Sequence, residues 1–294
     1  MNLSTQFYSV FFFTIATLHH VACAQTSSEA RLASSMEYKN CVDTFEKSRN
    51  SIGTYCARIS MFLHKSYLAN EIDPVLHSSF DAVKFDVEIA SDVINERLIA
   101  IRTLSPLQAG NRFPSKQVYL FVGTGSYFLN AKGVFTECLE PRRIIPFPDP
   151  LSLGAGYYLE STMFYPFDEV TRSLHTAHSD MRAGFKVNRN GPITSFHRRN
   201  EHISFDTSKD CVPVEVQHEG DETGAQFIQG RTKHILTKGV WLPETVSYIT
   251  NKRVFLHMEL DWVSVNEPLP AGLFERDTLE RLFSAKDAND LLSK

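Results

Sequence analysis

The sequence predicts an α+β fold: a strongly curved antiparallel β-sheet, or half-barrel, with one helix ahead of it, one behind it and a Pro-rich, lid-like insertion. Three observations carry this expectation. Alternating apolar and polar segments recur through most of the chain, the period of a sheet with one buried face. Aromatic residues make up 12% of the 294 residues, with 22 Phe and 10 Tyr, and they favour strands and large apolar cores. Helical periodicity is strongest at the two ends. The hydrophobic and charged fractions, 43% and 22%, are those of an ordinary globular protein. A net charge of -4 gives no electrostatic reason to expect nucleic acid.

The N-terminus has the form of a secretory signal. Phe7 to Leu18 is an apolar run, and Ala22-Cys23-Ala24 has the small residues an A-x-A cleavage site needs. Residues 1–24 are therefore expected to be a signal peptide cut before Gln25, and residues 25–30 a polar linker. The apolar run falls short of the ~20 residues a bilayer needs, and His19-His20 interrupts it. No later segment is a transmembrane candidate. His20-Val21-Ala22-Cys23 also partly resembles a lipoprotein box, which would place a lipid anchor on Cys23; His20 stands where that box has an apolar residue.

Residues 31–285 read as a single domain and 286–294 as a C-terminal tail. Tyr38, Cys41, Val42 and Phe45 fall at i, i+3, i+4 and i+7, which predicts a helix over Arg31 to Ser48. Arg49 to Gly53 stops it. Tyr55 to Leu63 is the first predicted strand. In Phe80 to Ile89, Val83, Phe85, Val87 and Ile89 alternate with Lys84, Asp86 and Glu88, a strand with one wet face. A turn at Asp92 to Glu96 leads to a returning strand, Arg97 to Thr103. Val118 to Leu129 is nearly continuously apolar and is expected deep in a sheet, with Gly123-Thr124-Gly125-Ser126 marking a bulge or close backbone approach.

Pro141, Pro146, Pro148 and Pro150 exclude a regular central strand, while Leu151, Leu153, Tyr157 and Tyr158 keep that segment apolar. It reads as a packed loop or lid. A short helix is expected within Tyr165 to Met181. Strands resume at 184–187, 192–197, 202–205, 212–218, 226–236 and 241–250. In the last strand Val254, Leu256, Met258, Leu260 and Trp262 share a face; after Trp262 the apolar phase flips, which predicts a bulge or strand end. Asp277, Leu279, Glu280, Leu282 and Phe283 outline a closing helix.

With residues 1–24 removed, Cys41, Cys56, Cys138 and Cys211 remain. An even number in an exported chain suggests disulfides, with three possible pairings. Cys41–Cys56 with Cys138–Cys211 is the preferred set, and the first short loop is worth about 3 kcal/mol by loop-closure entropy.

Gly239-Val240-Trp241-Leu242-Pro243 precedes a strand, and the sheet closes in Leu260-Asp261-Trp262-Val263-Ser264-Val265-Asn266-Glu267-Pro268 with Leu273-Phe274 beyond. With the leading helix and the strand meander, these motifs resemble secreted bacterial proteins of the lipoprotein-carrier group (LolA/LppX-like). Asp149-Pro150-Leu151-Ser152-Leu153-Gly154 and His202 to Glu215 look similar to its uncharacterised envelope branch. The resemblance covers roughly residues 31–280. It implies an open curved sheet lined with apolar side chains, and a lipid or lipoprotein acyl chain as partner. It assigns no ligand-binding residue and no cofactor.

On that reading Phe85, Phe121, Tyr127, Tyr157, Tyr158, Met258 and Trp262 are candidate cavity-lining residues. Arg142 and Arg143 could meet an anionic head group at its mouth. A second reading makes the same apolar residues the filled core of an envelope structural module. A third is a metal-dependent hydrolase built on His175, His178 and Asp180, with helical i, i+3 spacing of the two imidazoles; that spacing lacks the Glu of a metalloprotease helix. The leading expectation is a non-enzymatic binder with no metal.

Intact-mass analysis of the exported protein distinguishes the two N-termini. The expected product begins at Gln25; a diacylglyceryl group on Cys23 would refute that cleavage.

Overall fold

The computed structural model describes residues 32–64, 82–106, 115–123, 125–130, 132–138, 145–148, 150–151, 153, 163–164, 184–198, 201–218, 228–250 and 253–284. Thirteen strands form one curved, open, antiparallel sheet. Helix α1 spans residues 32–50. A first meander follows: β1 (Thr54–His64), β2 (Ala82–Asp92), β3 (Arg97–Pro106), β4 (Ser115–Val122), β5 (Gly125–Leu129) and β6 (Phe135–Cys138). Two short strands, β7 (Ile145–Pro148) and β8 (Met163–Phe164), pair only with each other. The second meander comprises β9 (Lys186–Asn190), β10 (Ile193–Arg198), β11 (Glu201–Asp206), β12 (Val212–His218), β13 (Ile228–Thr237), β14 (Val240–Thr250) and β15 (Arg253–Val265); α2 (Arg276–Ser284) closes the chain.

The two meanders meet where β1 pairs with β15, so the first and last strands of the sheet lie at its centre. Tyr55↔Val265 to Leu63↔Leu256 sets the register. One bulge, between Cys56 and Ala57 opposite Trp262 and Ser264, absorbs Val263. This is the phase flip seen in the sequence: a bulge, after which β15 runs on to Val265.

Side-chain alternation can be followed across the whole sheet through its registers. One face, here termed inner, carries Met61, Ile59 and Ala57 of β1, and Phe85, Val87 and Ile89 of β2. It continues through Ala100 and Leu98 of β3 to Tyr119 and Phe121 of β4. In the other direction it passes Met258 and Val246 to Tyr248, Gly230, Val216, Ile203 and Phe196. Polar side chains occupy the outer face over β1 and β2: Arg58 reaches Asp261 at 3.4 Å and Glu88 at 3.9 Å, and Ser60 donates to Asp86 at 2.6 Å.

The helices take opposite faces. The apolar stripe of α1, Tyr38, Cys41, Val42 and Phe45, packs on inner-face Phe196, Ile203, Phe205 and Val216. Ser34 and Glu37 fasten its start, through Phe185 N donating to Ser34 Oγ (3.0 Å) and Arg189 Nη2 bonding Glu37 (2.6 Å). Leu279 and Leu282 of α2 pack on outer-face Cys56, Ala90, Ile99, Ile101, Val118, Leu120 and Leu129. Strand β4 is therefore buried on both sides, which is why its sequence does not alternate.

Three sequence expectations are corrected. Val118 to Leu129 is two strands: Gly123, with φ of 55°, opens a hairpin turn inside the apolar run. The pairing Cys41–Cys56 fails because the two side chains lie on opposite faces, Cys41 with α1 inside and Cys56 under α2 outside. Cys41, Cys56 and Cys211 are free thiols, so the Cys138–Cys211 bond is not formed either; Cys211 packs in the cluster of Cys41, and the side chain of Cys138 lies outside the described residues.

The inner face is tightest at Gly230, where an added Cβ would lie 2.8 Å from Val216 Cγ2 and 3.2 Å from Tyr248 Cε1. Gly230→Ala is expected to destabilise the fold by about 1–3 kcal/mol through overpacking. Urea denaturation measures this, and an unchanged midpoint would contradict the packing.

Candidate functional site

The candidate site is the inner face of the first meander and the central strands. Phe85, Phe121 and Met258 sit there and are 5%, 5% and 0% exposed. Trp262 packs at its edge: its ring centre lies 5.7 Å from that of Tyr55, and its Nε1 donates to the Pro243 carbonyl at 2.7 Å. Tyr127 does not join them. It falls on the other side of β5, beside Phe135 in the cluster under α2. Tyr157, Tyr158, Arg142, Arg143, His175, His178 and Asp180 lie outside the described residues.

Two further side chains reach this surface from outside the main sheet. Leu151 and Leu153, which follow the Pro-rich strand β7, are buried in the same apolar cluster as the inner-face residues Phe85, Phe121, Tyr119 and Met258. The prolines explain the arrangement. They remove ladder donors, so the segment forms only the small β7–β8 pair and lays its leucines on the sheet instead of extending it.

A polar group interrupts the apolar lining. Arg102 on β3 faces inward between Phe85 and Gln117: its guanidinium lies 4.3 Å from the Phe85 ring centre, and Nη1 donates to Gln117 Oε1 at 3.3 Å. Tyr119 donates its hydroxyl to the same oxygen at 2.9 Å and stacks on Phe128, with ring centres 4.9 Å apart. Burial lowers the proton affinity of Arg102, although a guanidinium stays charged at any physiological pH, and burial raises the Tyr119 phenol. The sequence placed its anionic head-group candidates in the insertion. Arg102 was the less visible one, because it follows five residues of a strand whose inward parity is known only once the register is.

The second polar site lies beneath the C-terminal end of α1. Arg49 is fully buried, its guanidinium 4.9 Å from the Phe45 ring centre. Lys209 bonds Asp206 at 3.2 Å and stands over Trp241. His234 on β13 is largely buried, and neither ring nitrogen has a hydrogen-bond partner among the described residues. Burial, then the positive charges of Arg49 and Lys209, push its pKa down to about 3. It is a neutral imidazole that the fold holds against protonation.

A surface cleft of about 450 Å³ lies at the β2–β3 turn, beside the loop that leads to α2. Ile94, Val122, Leu269 and Phe274 line it, and its buried carboxylate, Asp92, is already satisfied by Asn95 and Arg97. Among the described residues, no three His, Cys, Asp or Glu side chains converge to hold a metal ion.

No family model matches the chain, and no curated protein matches it. Solved structures do. One is the crystal structure of a LolA superfamily protein from Nitrosomonas europaea, at 10% identity and a TM-score of 0.42, covering 82% of this chain and 98% of that one.

The depressed His234 pKa makes stability depend on acid. Its folded value lies below the ordinary 6.5, so its contribution is complete above pH 6.5 and is lost as the pH falls from 6.5 towards 3. The slope is at most about 1.4 kcal/mol per pH unit. His234→Gln is expected to flatten urea midpoints between pH 7 and 4; parallel profiles for the two proteins would contradict it.

Proposed function

We propose that this chain is an exported, non-enzymatic protein that holds a long acyl chain or similar lipid against the inner face of its half-barrel. The observation that carries the reading is what packs with that face. An apolar cluster shared by many strands also takes in Leu151 and Leu153, two side chains on a segment whose described residues make no main-sheet ladder. Such a segment can be exchanged for a ligand without breaking the sheet. Arg102, beside Phe85 and Gln117, is suited to an anionic head group. Export is supported by the signal-like N-terminus. Among the described residues no helix is long and apolar enough to cross a membrane.

The exchange sets a lower limit on the ligand. Displacing two buried leucines forfeits about 1.5–3 kcal/mol each, and a buried methylene returns about 0.8 kcal/mol. Roughly four to eight methylenes are needed to break even, so long chains are favoured over short ones.

The full burial of Phe85, Phe121 and Met258 favours a second reading, an envelope structural module whose inner face is filled by its own side chains. One set of measurements separates the two. Native mass spectrometry after mild purification is expected to show co-purified lipid, and fluorescent long-chain fatty acids are expected to bind in preference to short ones. Leu151→Ala with Leu153→Ala is expected to tighten that binding. Arg102→Met is expected to weaken the carboxylate probe about tenfold, from the loss of a charged hydrogen bond, and to spare its neutral ester. No co-purified lipid together with no probe binding would leave the filled-core reading.

A further inference from the structure

We propose that Cys41 and Cys211 are the two halves of a redox-controlled clip, closing to a disulfide that fastens α1 to the turn between β11 and β12. The inference stands on the packing of this turn and is independent of any ligand. Cys41 is on the buried stripe of α1, and Cys211 packs into the same cluster beside Val214, Val212 and Phe205. The two thiols are close enough to perturb each other's ionisation, which raises the pKa of Cys41 and lowers that of Cys211. Asp210 and Cys211 both hold left-handed backbone, φ 54° each, a conformation side-chain-bearing residues adopt rarely. Ser48 Oγ donates to Asp210 Oδ2 at 3.4 Å, a second contact between the same helix and the same turn. Cys56, the other buried thiol among the described residues, lies across the sheet under α2 and cannot compete.

The two sulfurs differ in a way that orders the chemistry. Cys211 is partly exposed; the neighbouring Cys41 thiol lowers its pKa and favours its thiolate. Cys41 is buried, and the neighbouring Cys211 sulfur, then burial, raises its pKa. A low-molecular-weight disulfide, R–S–S–R, is the oxidant. The Cys211 thiolate attacks one of its sulfurs, forming Cys211–S–S–R and releasing one thiolate, RS⁻. The Cys41 thiol then gives up its proton and attacks the Cys211 sulfur, releasing the second RS⁻ and leaving Cys41–S–S–Cys211. Two electrons pass from the protein thiols to the small disulfide, which leaves as two thiols.

The clip would join the first element of the fold to its far half across about 170 residues of chain. A loop of that length gains close to the maximum from cross-linking, so oxidation is expected to raise the melting temperature by roughly 5–10 °C. The test incubates the chain starting at Gln25 with oxidised glutathione, then compares non-reducing peptide maps and melting curves with those of the reduced protein. The expected result is a peptide containing Cys41 linked to one containing Cys211, and a melting temperature that rises and falls back on reduction. Cys211→Ser is expected to abolish the rise and Cys56→Ser to leave it intact. Free thiols at both positions, a stable glutathione adduct on Cys211, or Cys41 linked to Cys56 or Cys138 would overturn the pairing. A linked peptide with no thermal shift would overturn the fastening. The peptide map uses the unaltered sequence, so the linkage it detects does not depend on either variant folding.

Discussion

The pairing of β1 with β15 is the constraint on which the rest of the structure depends. Each meander is local: strands follow one another and pair with their sequence neighbours. The β1–β15 ladder is the one junction between them, and it joins residues about 200 positions apart. Forming it requires closing a very long loop, so it carries an entropic cost that the local hairpins do not. What offsets that cost is concentrated at this seam. Tyr55, Ala57, Ile59 and Met61 meet Trp262, Leu260 and Met258 inside it, Arg58 meets Asp261 outside it, and Asn266 locks its end. Asn266 does so from left-handed backbone, accepting from Gly53 N at 2.7 Å and donating to the Ser51 carbonyl at 3.2 Å.

A sheet this wide cannot be covered by one short helix, and the molecule divides the work. The inner face of the second meander is closed by α1, and the outer face of the first meander by α2. Among the described residues, that division leaves the inner face of the first meander without a helix. Arg102 interrupts the apolar lining in this area, and Leu151 and Leu153 are buried in the apolar cluster that this area belongs to. The candidate site is thus a consequence of how the two helices are shared between faces.

Much of this was legible in the sequence. Strands with one wet face announce themselves by alternation, as Phe85, Val87 and Ile89 do against Lys84, Asp86 and Glu88. The stripe of α1, the bulge beyond Trp262 and the exclusion of the Pro-rich segment from the main sheet were also readable. The failures share one cause. Where both faces are covered, alternation disappears, and the Gly123 hairpin hid inside the apolar run Val118 to Leu129. Once that turn is missed, the parity of everything after it is lost, and Tyr127 is assigned to the wrong side. The cysteine pairing failed for the same reason: Cys41 and Cys56 are close in sequence, but only the faces taken by α1 and α2 reveal that a sheet separates them.

Parity also limits what the inner face can be. A one-residue change of register would carry Arg58, Ser60, Asp86 and Glu88 into the apolar side and bury charges that have no partners there, a cost of several kcal/mol for each ion. The sheet therefore cannot adapt to a ligand by slipping its strands. Any accommodation must come from elements that lie on the sheet without belonging to it. Two such elements meet the inner face among the described residues, α1 and the segment carrying Leu151 and Leu153. The helix is pinned by Ser34, Glu37 and the Cys41–Cys211 contact and buries four apolar side chains. The segment contributes two leucines and lacks ladder hydrogen bonds to the main sheet. Counted over the described residues it has less to lose on leaving than α1, so on the proposed binding reading it is the part that would move.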